Sequence, residues 1–220
     1  MDYFGNLREE MLKYVPANAQ RILDVGCGGG RFGALLKAAR PSTEVWGVEP
    51  EREAARDAAS RLDRVLATPF DATTALPAAY FDAIVFNDSL EHFPDPFPPL
   101  MHCKSLLAAH GVIVCSIPNV RYISNLKHLL VDRDWRYEDF GVRDRTHLRF
   151  FTYRSILRTM DQAGFRVRSI AGINPAPLNW RKSAFLLLLY PWVSDTRFQQ
   201  FAVVASPLGK DAEQQAAAAR

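Results

Sequence analysis

Ile22-Leu23-Asp24-Val25-Gly26-Cys27-Gly28-Gly29-Gly30-Arg31-Phe32-Gly33 decides the reading of this chain. Ile22, Leu23 and Val25 form an apolar run of buried-strand length, and Phe32, Leu35 and Leu36 resume at helical spacing. Between them the chain turns on Gly26, Gly28, Gly29 and Gly30. A glycine-rich strand-to-helix turn admits a ligand where a Cβ would collide. It also points the free N–H groups of a helix start at that ligand. Such a turn is a nucleotide-cofactor loop.

The same glycines admit two patterns. Gly28-x-Gly30-x-x-Gly33 satisfies the dinucleotide fingerprint. Asp24-x-Gly26-x-Gly28-x-Gly30 resembles motif I of the class I S-adenosylmethionine (SAM) methyltransferases instead. A carboxylate inside the strand end suits a cofactor carrying ammonium and sulfonium charges. It suits a pyrophosphate poorly, because like charges would be held together in a partly dry site. Asp24 therefore favours SAM over NAD(P).

Along the chain, residues 6–14 read as a short helix and 21–30 as strand and loop. A helix over 31–39 follows, a strand at 45–49 ending in an acid, a helix over 51–61, and a short strand at 64–67. Residues 81–87 read as a buried strand. A helix over 97–108 is expected to leave through Gly111, followed by a strand at 112–116. Residues 121–150 are charged, aromatic and weakly periodic, as an insertion over the active edge would be. The remainder reads as a helix at 153–163, a strand at 165–173, an apolar helix or lid at 178–194, and a strand at 198–205. Strands alternating with helices imply a doubly wound parallel sheet, with ligands beyond the carboxyl ends of its strands. The loop at 26–30, Glu49, Asp71 and Asn87 all fall at such ends.

With these elements placed, the chain resembles a SAM-dependent methyltransferase over residues 3–205. The resemblance rests on residues 23–30, Gly-Val-Glu (47–49), Phe-Asp-Ala-Ile-Val (81–85) and Leu-Glu-His-Phe-Pro-Asp-Pro (90–96). Ser-Ile-Pro-Asn-Val (116–120) and Asp-Arg-Thr-His-Leu-Arg-Phe-Phe-Thr (144–152) add to it. It is nearest to small-molecule enzymes of the ubiquinone-methyltransferase type and to domains found with surface-polysaccharide systems. The implied fold is a Rossmann-like α/β, doubly wound seven-stranded sheet, mostly parallel, with the last strand antiparallel between its neighbours. One domain over 1–208 is expected, with lids or insertions at 121–152 and 174–195 and a frayed tail at 209–220.

The resemblance also implies roles. Asp24, Gly26, Cys27, Gly28 and Gly30 would hold the methionyl end of SAM, and Glu49, next to Pro50, both ribose hydroxyls. Asp71 would sit near the adenine amine or else cap a turn as an Asx residue. Asn87, Asp88 and Ser89 would face the sulfonium and the nucleophile. The carried-over activity is methyl transfer to a small-molecule oxygen: a saccharide, nucleotide sugar or other anionic metabolite. His147, or else His92, would assist the acceptor hydroxyl as general base, since imidazole titrates near neutrality. Either residue has a plainer reading, His147 as a solvent-facing side chain and the Glu91-His92 pair as the cap of a turn. No metal-ligand set with convincing spacing is visible. An NAD(P)-dependent oxidoreductase and a SAM-binding module without catalysis are the alternatives.

The chain's net charge of +3 is unevenly spread. Residues 121–168 carry ten Arg and one Lys against six acids. Arg143, Arg145 and Arg149 are candidates to fork an anionic substrate, with Tyr3 beside them. Nucleic acid is disfavoured because no RNA-binding aromatic signature accompanies the arginines. The 184–193 stretch is expected to pack on the core rather than on a membrane surface. Three cysteines without a CxxC pair, and a start lacking signal-peptide features, imply a reducing, cytoplasmic setting.

Overall fold

The computed structural model describes residues 7–176 and 193–209. Seven strands form one sheet in the order β3-β2-β1-β4-β5-β7-β6. They are β1 (Arg21–Val25), β2 (Glu44–Val48), β3 (Arg64–Leu66), β4 (Phe81–Asn87), β5 (Leu107–Pro118), β6 (Phe165–Pro175) and β7 (Phe198–Pro207). The first five run parallel to one another, and β7 is antiparallel to both β5 and β6. The helices are α1 (Arg31–Ala39), α2 (Arg52–Ala59), α3 (Phe97–Leu106), α4 (Ile123–Lys127) and α5 (Tyr153–Gln162). The expected α/β sheet with an antiparallel last strand is present.

The period-2 pattern of the central strands explains the layering. Along β4, Phe81, Ile84 and Phe86 join one core with Leu100, Cys103, Ile156 and Met160. Ala83 and Val85 join the opposite core with Phe32, Leu36, Ala58 and Leu62. Chain order reverses between β1 and β4, which opens a crevice at their carboxyl ends. The helix expected over 31–39 and the strand expected over 81–87 have those bounds. Among the described residues no helix is long and apolar enough to cross a membrane.

Three expectations need correction or restriction. Gly111 is not a helix exit, because α3 ends at Leu106 and β5 starts at once. The β4–β5 register jumps from Phe81↔Leu107 to Ala83↔Val112, so Gly111 lies in a bulge. A Cβ there would stand 2.7 Å from the Phe81 carbonyl oxygen. The short helix expected at 6–14 is a 3-10 segment, Glu9–Tyr14. Tyr3, the 178–192 part of the apolar stretch and the 210–220 tail lie outside the described residues.

Candidate functional site

The turn after β1 is anchored to its neighbours before any ligand is considered. Gly26 N and Cys27 N donate to the Val48 carbonyl at 2.8 and 3.3 Å, tying the loop to the end of β2. Gly28 N donates to Glu49 Oε2 at 2.9 Å, and Glu51 N donates to Glu49 Oε1 at 2.9 Å. Ser89 Oγ donates to the Val25 carbonyl at 2.7 Å, joining the ends of β1 and β4. Gly26 has φ of +72°, and a Cβ on it would meet Ser89 Cβ at 2.8 Å. No other residue type fits there without displacing that contact.

These contacts line one cavity of about 1210 Å³ at the carboxyl edge of the sheet. Asp24, Gly26, Cys27, Gly28, Glu49, Pro50, Asn87, Asp88, Ser89, His92 and His147 are all on its wall. Asp24 is buried, and its Oδ1 has no hydrogen-bond partner. Burial first, then the nearby Glu49 charge, pushes its carboxyl up to about 7. Both amide atoms of Asn87 are likewise buried without partners. Two buried, unsatisfied polar side chains are costly in a closed protein. Here they face a cavity beside a glycine loop, and Pro69 and Phe70 supply an apolar wall nearby.

Several candidates lie elsewhere. Gly30 is not on the wall; with φ of +75° it caps α1, and a Cβ would press on Ala58 Cα at 3.0 Å. Asp71 is also off the wall. Its Oδ1 accepts from Thr73 N at 2.7 Å and Thr73 Oγ1 at 2.6 Å, the Asx-turn alternative. None of the three arginines reaches the cavity. Arg143 is buried against Glu138, and Arg145 pairs in solvent with Asp139 at 2.5 Å. Arg149 Nε donates to the Pro94 carbonyl at 2.7 Å. They fasten the 138–149 loop rather than meet a ligand.

The arginines on the wall are Arg8 and Arg31, and sequence reading passed over Arg8 as part of a helix. It is buried with φ of +53° just before the 3-10 segment. Its guanidinium donates to Gln200 Oε1 at 2.8 Å, Glu10 Oε1 at 3.1 Å and Ser116 Oγ at 3.3 Å, and it pairs with Asp88. Burial pulls its pKa down from the usual guanidinium value. Asp88 Oδ1 also accepts from Ser116 Oγ at 2.8 Å and Gln200 Nε2 at 2.7 Å, so this carboxylate is committed within the protein. Asn174 Nδ2 also donates to Gln200 Oε1 at 2.8 Å, and Arg8, Asn174 and Gln200 are far apart in sequence, so no local motif signals their meeting.

On the same cavity wall, the 3-10 turn Leu90–His92 carries Glu91 and His92. The Glu91 carbonyl accepts from Leu148 N and Arg149 N, both at 3.0 Å, stitching the 138–149 loop to this turn. His147 is thereby buried rather than solvent-facing, with its ring 4.9 Å from that of His92. Burial lowers both imidazole pKa values. Glu91 is fully buried, and desolvation raises its carboxyl to about 8.

Comparison with known proteins agrees with this geometry. A family described as "Methyltransferase domain" matches residues 2–170. This chain belongs to that family. It is 30% identical over 172 residues to a ubiquinone biosynthesis O-methyltransferase of Psychrobacter arcticus, covering 74% of this chain. The match spans 65% of that relative's length, just under two thirds. A trans-aconitate 2-methyltransferase of Methylobacterium radiotolerans is 35% identical over 111 residues, half of this chain and 43% of its own. A SAM-dependent methyltransferase structure from Archaeoglobus fulgidus superposes with TM-score 0.66 at 21% identity, covering 89% of this chain and 90% of that one.

The family's cofactor is SAM, and the wall residues fit it. The unpartnered Asp24 Oδ1 is an acceptor for a cation, and the Gly26 cradle is closed to any Cβ. The dinucleotide fingerprint is thus coincidental: its Gly30 and Gly33 serve helix packing, a Cβ on Gly33 running into the Leu62 side chain.

Proposed function

We propose that this methyltransferase moves the methyl group of SAM to a hydroxyl oxygen of a small-molecule acceptor. The observation that carries the reading is the pair of unpartnered groups, Asp24 Oδ1 and the Asn87 amide, flanking the glycine loop on one wall of the cavity. When bound, SAM supplies an electrophilic methyl on a positively charged sulfur. Asp24 and the loop amides take its amino-acid end, and Glu49 takes the ribose. Each Glu49 oxygen already accepts one amide and keeps a further lone pair for a hydroxyl. Pro69 and Phe70 provide the apolar flank for the base.

The protein's contribution is alignment and exclusion of water. Asn87 lines the same cavity as His92 and His147, and its unpartnered amide is available to orient groups at the reaction centre. His92 and His147 each hold Nδ1 at 3.2 Å from a backbone carbonyl, of Thr146 and Val142. A carbonyl only accepts, so Nδ1 carries the hydrogen and Nε2 is left to receive an acceptor hydroxyl's hydrogen bond. The names of the two relatives, one an O-methyltransferase, support a small acceptor.

A saccharide, nucleotide sugar or other anionic metabolite remains the acceptor class we favour. Its anion would meet the wall arginines, Arg8 and Arg31, and not Arg143, Arg145 or Arg149. The test is transfer of isotopically labelled methyl from SAM to grouped acceptors: phenols, polycarboxylates and nucleotide sugars. Label in one group names the acceptor class. Cofactor binding without label in any hydroxylated acceptor refutes O-methylation.

A further inference from the structure

Backbone strain in this protein is concentrated at one place. Five non-glycine residues among those described have left-handed φ. Three of them, Arg8 at +53°, Asp88 at +48° and Asn174 at +50°, meet in a single network of side-chain bonds joined by Gln200. Aspartate and asparagine enter that region more readily than other residues, and arginine does so seldom. Such a backbone persists where its surroundings over-determine it, and it gathers at functional sites. Arg8, Asp88, Asn174 and Gln200 all line the cavity.

The network closes on the turn that follows β4. Asp88 N donates to Ser116 Oγ at 3.0 Å, and the same hydroxyl donates to Asp88 Oδ1 at 2.8 Å. Gln200 Nε2 donates to Oδ1 at 2.7 Å, and Arg8 pairs with Oδ2. On one side of Asp88 stands Asn87, whose amide is buried without a partner and takes its direction from the backbone of this turn. On the other stands Ser89, whose Oγ donates to the Val25 carbonyl at 2.7 Å and whose Cβ bounds the Gly26 cradle. A change in the shape of Asp88 therefore reaches the cofactor loop through both neighbours.

We infer that Arg8 is a positioning residue: by pairing with Asp88 from outside the sheet, it holds the Asn87–Ser89 turn in the shape that binds SAM. Ser116 and Gln200 are fixed by β5 and β7, whereas Arg8 enters from the segment ahead of the Glu9–Tyr14 turn. Its planar fork donates to Gln200 Oε1 and Ser116 Oγ while it pairs with Asp88, a set of directions that an ammonium cannot reproduce. Asn174 Nδ2 steadies the far side, donating to Gln200 Oε1 at 2.8 Å and Glu10 Oε1 at 3.1 Å. Arg8 acts in this way whichever acceptor is methylated. An acceptor anion that reaches its guanidinium competes with the Asp88 carboxylate.

The test is calorimetric titration of the full chain with SAM in the parent, Arg8→Ala, Asp88→Ala, the double variant and Arg8→Lys. Positioning predicts that each alanine variant weakens SAM at least about fivefold, the low end of ordinary coupling between sites. The double variant should bind no more weakly than the worse single one, because both substitutions release the same turn. Arg8→Lys should fall between the parent and Arg8→Ala, and it carries the prediction if the alanine variant does not fold. Hydrogen exchange of the unliganded chain is the second readout. Arg8→Ala should speed exchange in the peptide spanning residues 86–90 and leave β2 and α2 unchanged, which a general loss of stability would not do. A guanidinium that met SAM directly would be freed by Asp88→Ala, so unchanged or tighter SAM binding in that variant overturns the inference. Parental SAM affinity in Arg8→Ala, or exchange that rises evenly along the chain, overturns it too. SAM binding lost in Asp24→Ala but kept in Arg8→Ala would leave the cofactor site standing and sink this inference alone.

Discussion

Replacing Asp24 with Asn should make the SAM-free protein more stable at alkaline than at acid pH relative to the parent. Burial and the Glu49 charge hold the Asp24 carboxyl at about 7, against an ordinary value of 3.8. An acid whose folded pKa is raised is favourable when protonated, so its contribution to stability is lost as pH rises from the ordinary value through the folded one. At about 1.4 kcal/mol per pH unit, the full penalty above pH 7 is of order 4 kcal/mol. Only the last unit of that window falls between pH 6 and pH 8, so the advantage of Asp24→Asn should grow by about 1.4 kcal/mol across it. For a chain of this size that is roughly a 3–6 °C change in the Tm difference. Denaturant unfolding of both proteins at pH 6 and pH 8 measures it. SAM reverses the sign, because its cationic groups favour the carboxylate: parental affinity should rise with pH towards about 7, and the variant's should not. Parallel stability curves for two well-folded proteins would refute the reasoning.

Two further outcomes follow from the packing. Gly26→Ala places a Cβ at 2.8 Å from Ser89 Cβ on a backbone with φ of +72°. Strain of about 1–3 kcal/mol should lower the Tm, and SAM affinity should fall at least about tenfold in calorimetry. Arg145→Ala removes only a solvent-exposed pair with Asp139, so stability should stay within about 1 kcal/mol and the acceptor KM should not move. A raised KM would return Arg145 to the substrate site.

The sheet was legible because its signals are local. The near-continuous apolar run in 81–87 and the strand–glycine–helix run at 22–36 each belong to one stretch, and the structure follows both. Gly111 misled because a glycine after an apolar helix reads as an exit, whereas here the requirement is a close approach to the Phe81 carbonyl across the sheet. In the site, Asp24, Glu49 and Asn87 were legible as polar residues ending apolar strands. The arginines at 143, 145 and 149 were not, since composition cannot tell a guanidinium that grips a ligand from one that holds its own loop to Glu138, Asp139 or Pro94. Arg8 and Gln200 escaped notice because their meeting depends on the antiparallel return of β7 beside β5. Glu91 and His92 were visible as a pair, but His147 joins them only through the backbone bonds from Leu148 and Arg149.

The most direct test of the central claim is calorimetric titration of the full chain with SAM, S-adenosylhomocysteine and NADH, alongside Asp24→Ala and Glu49→Ala. The account predicts that the first two ligands bind, that NADH does not, and that each substitution weakens SAM at least about tenfold, the loss of roughly 1.4 kcal/mol or more of charge-assisted contact. Binding of NADH alone, or SAM affinity indifferent to both carboxylates, would contradict it.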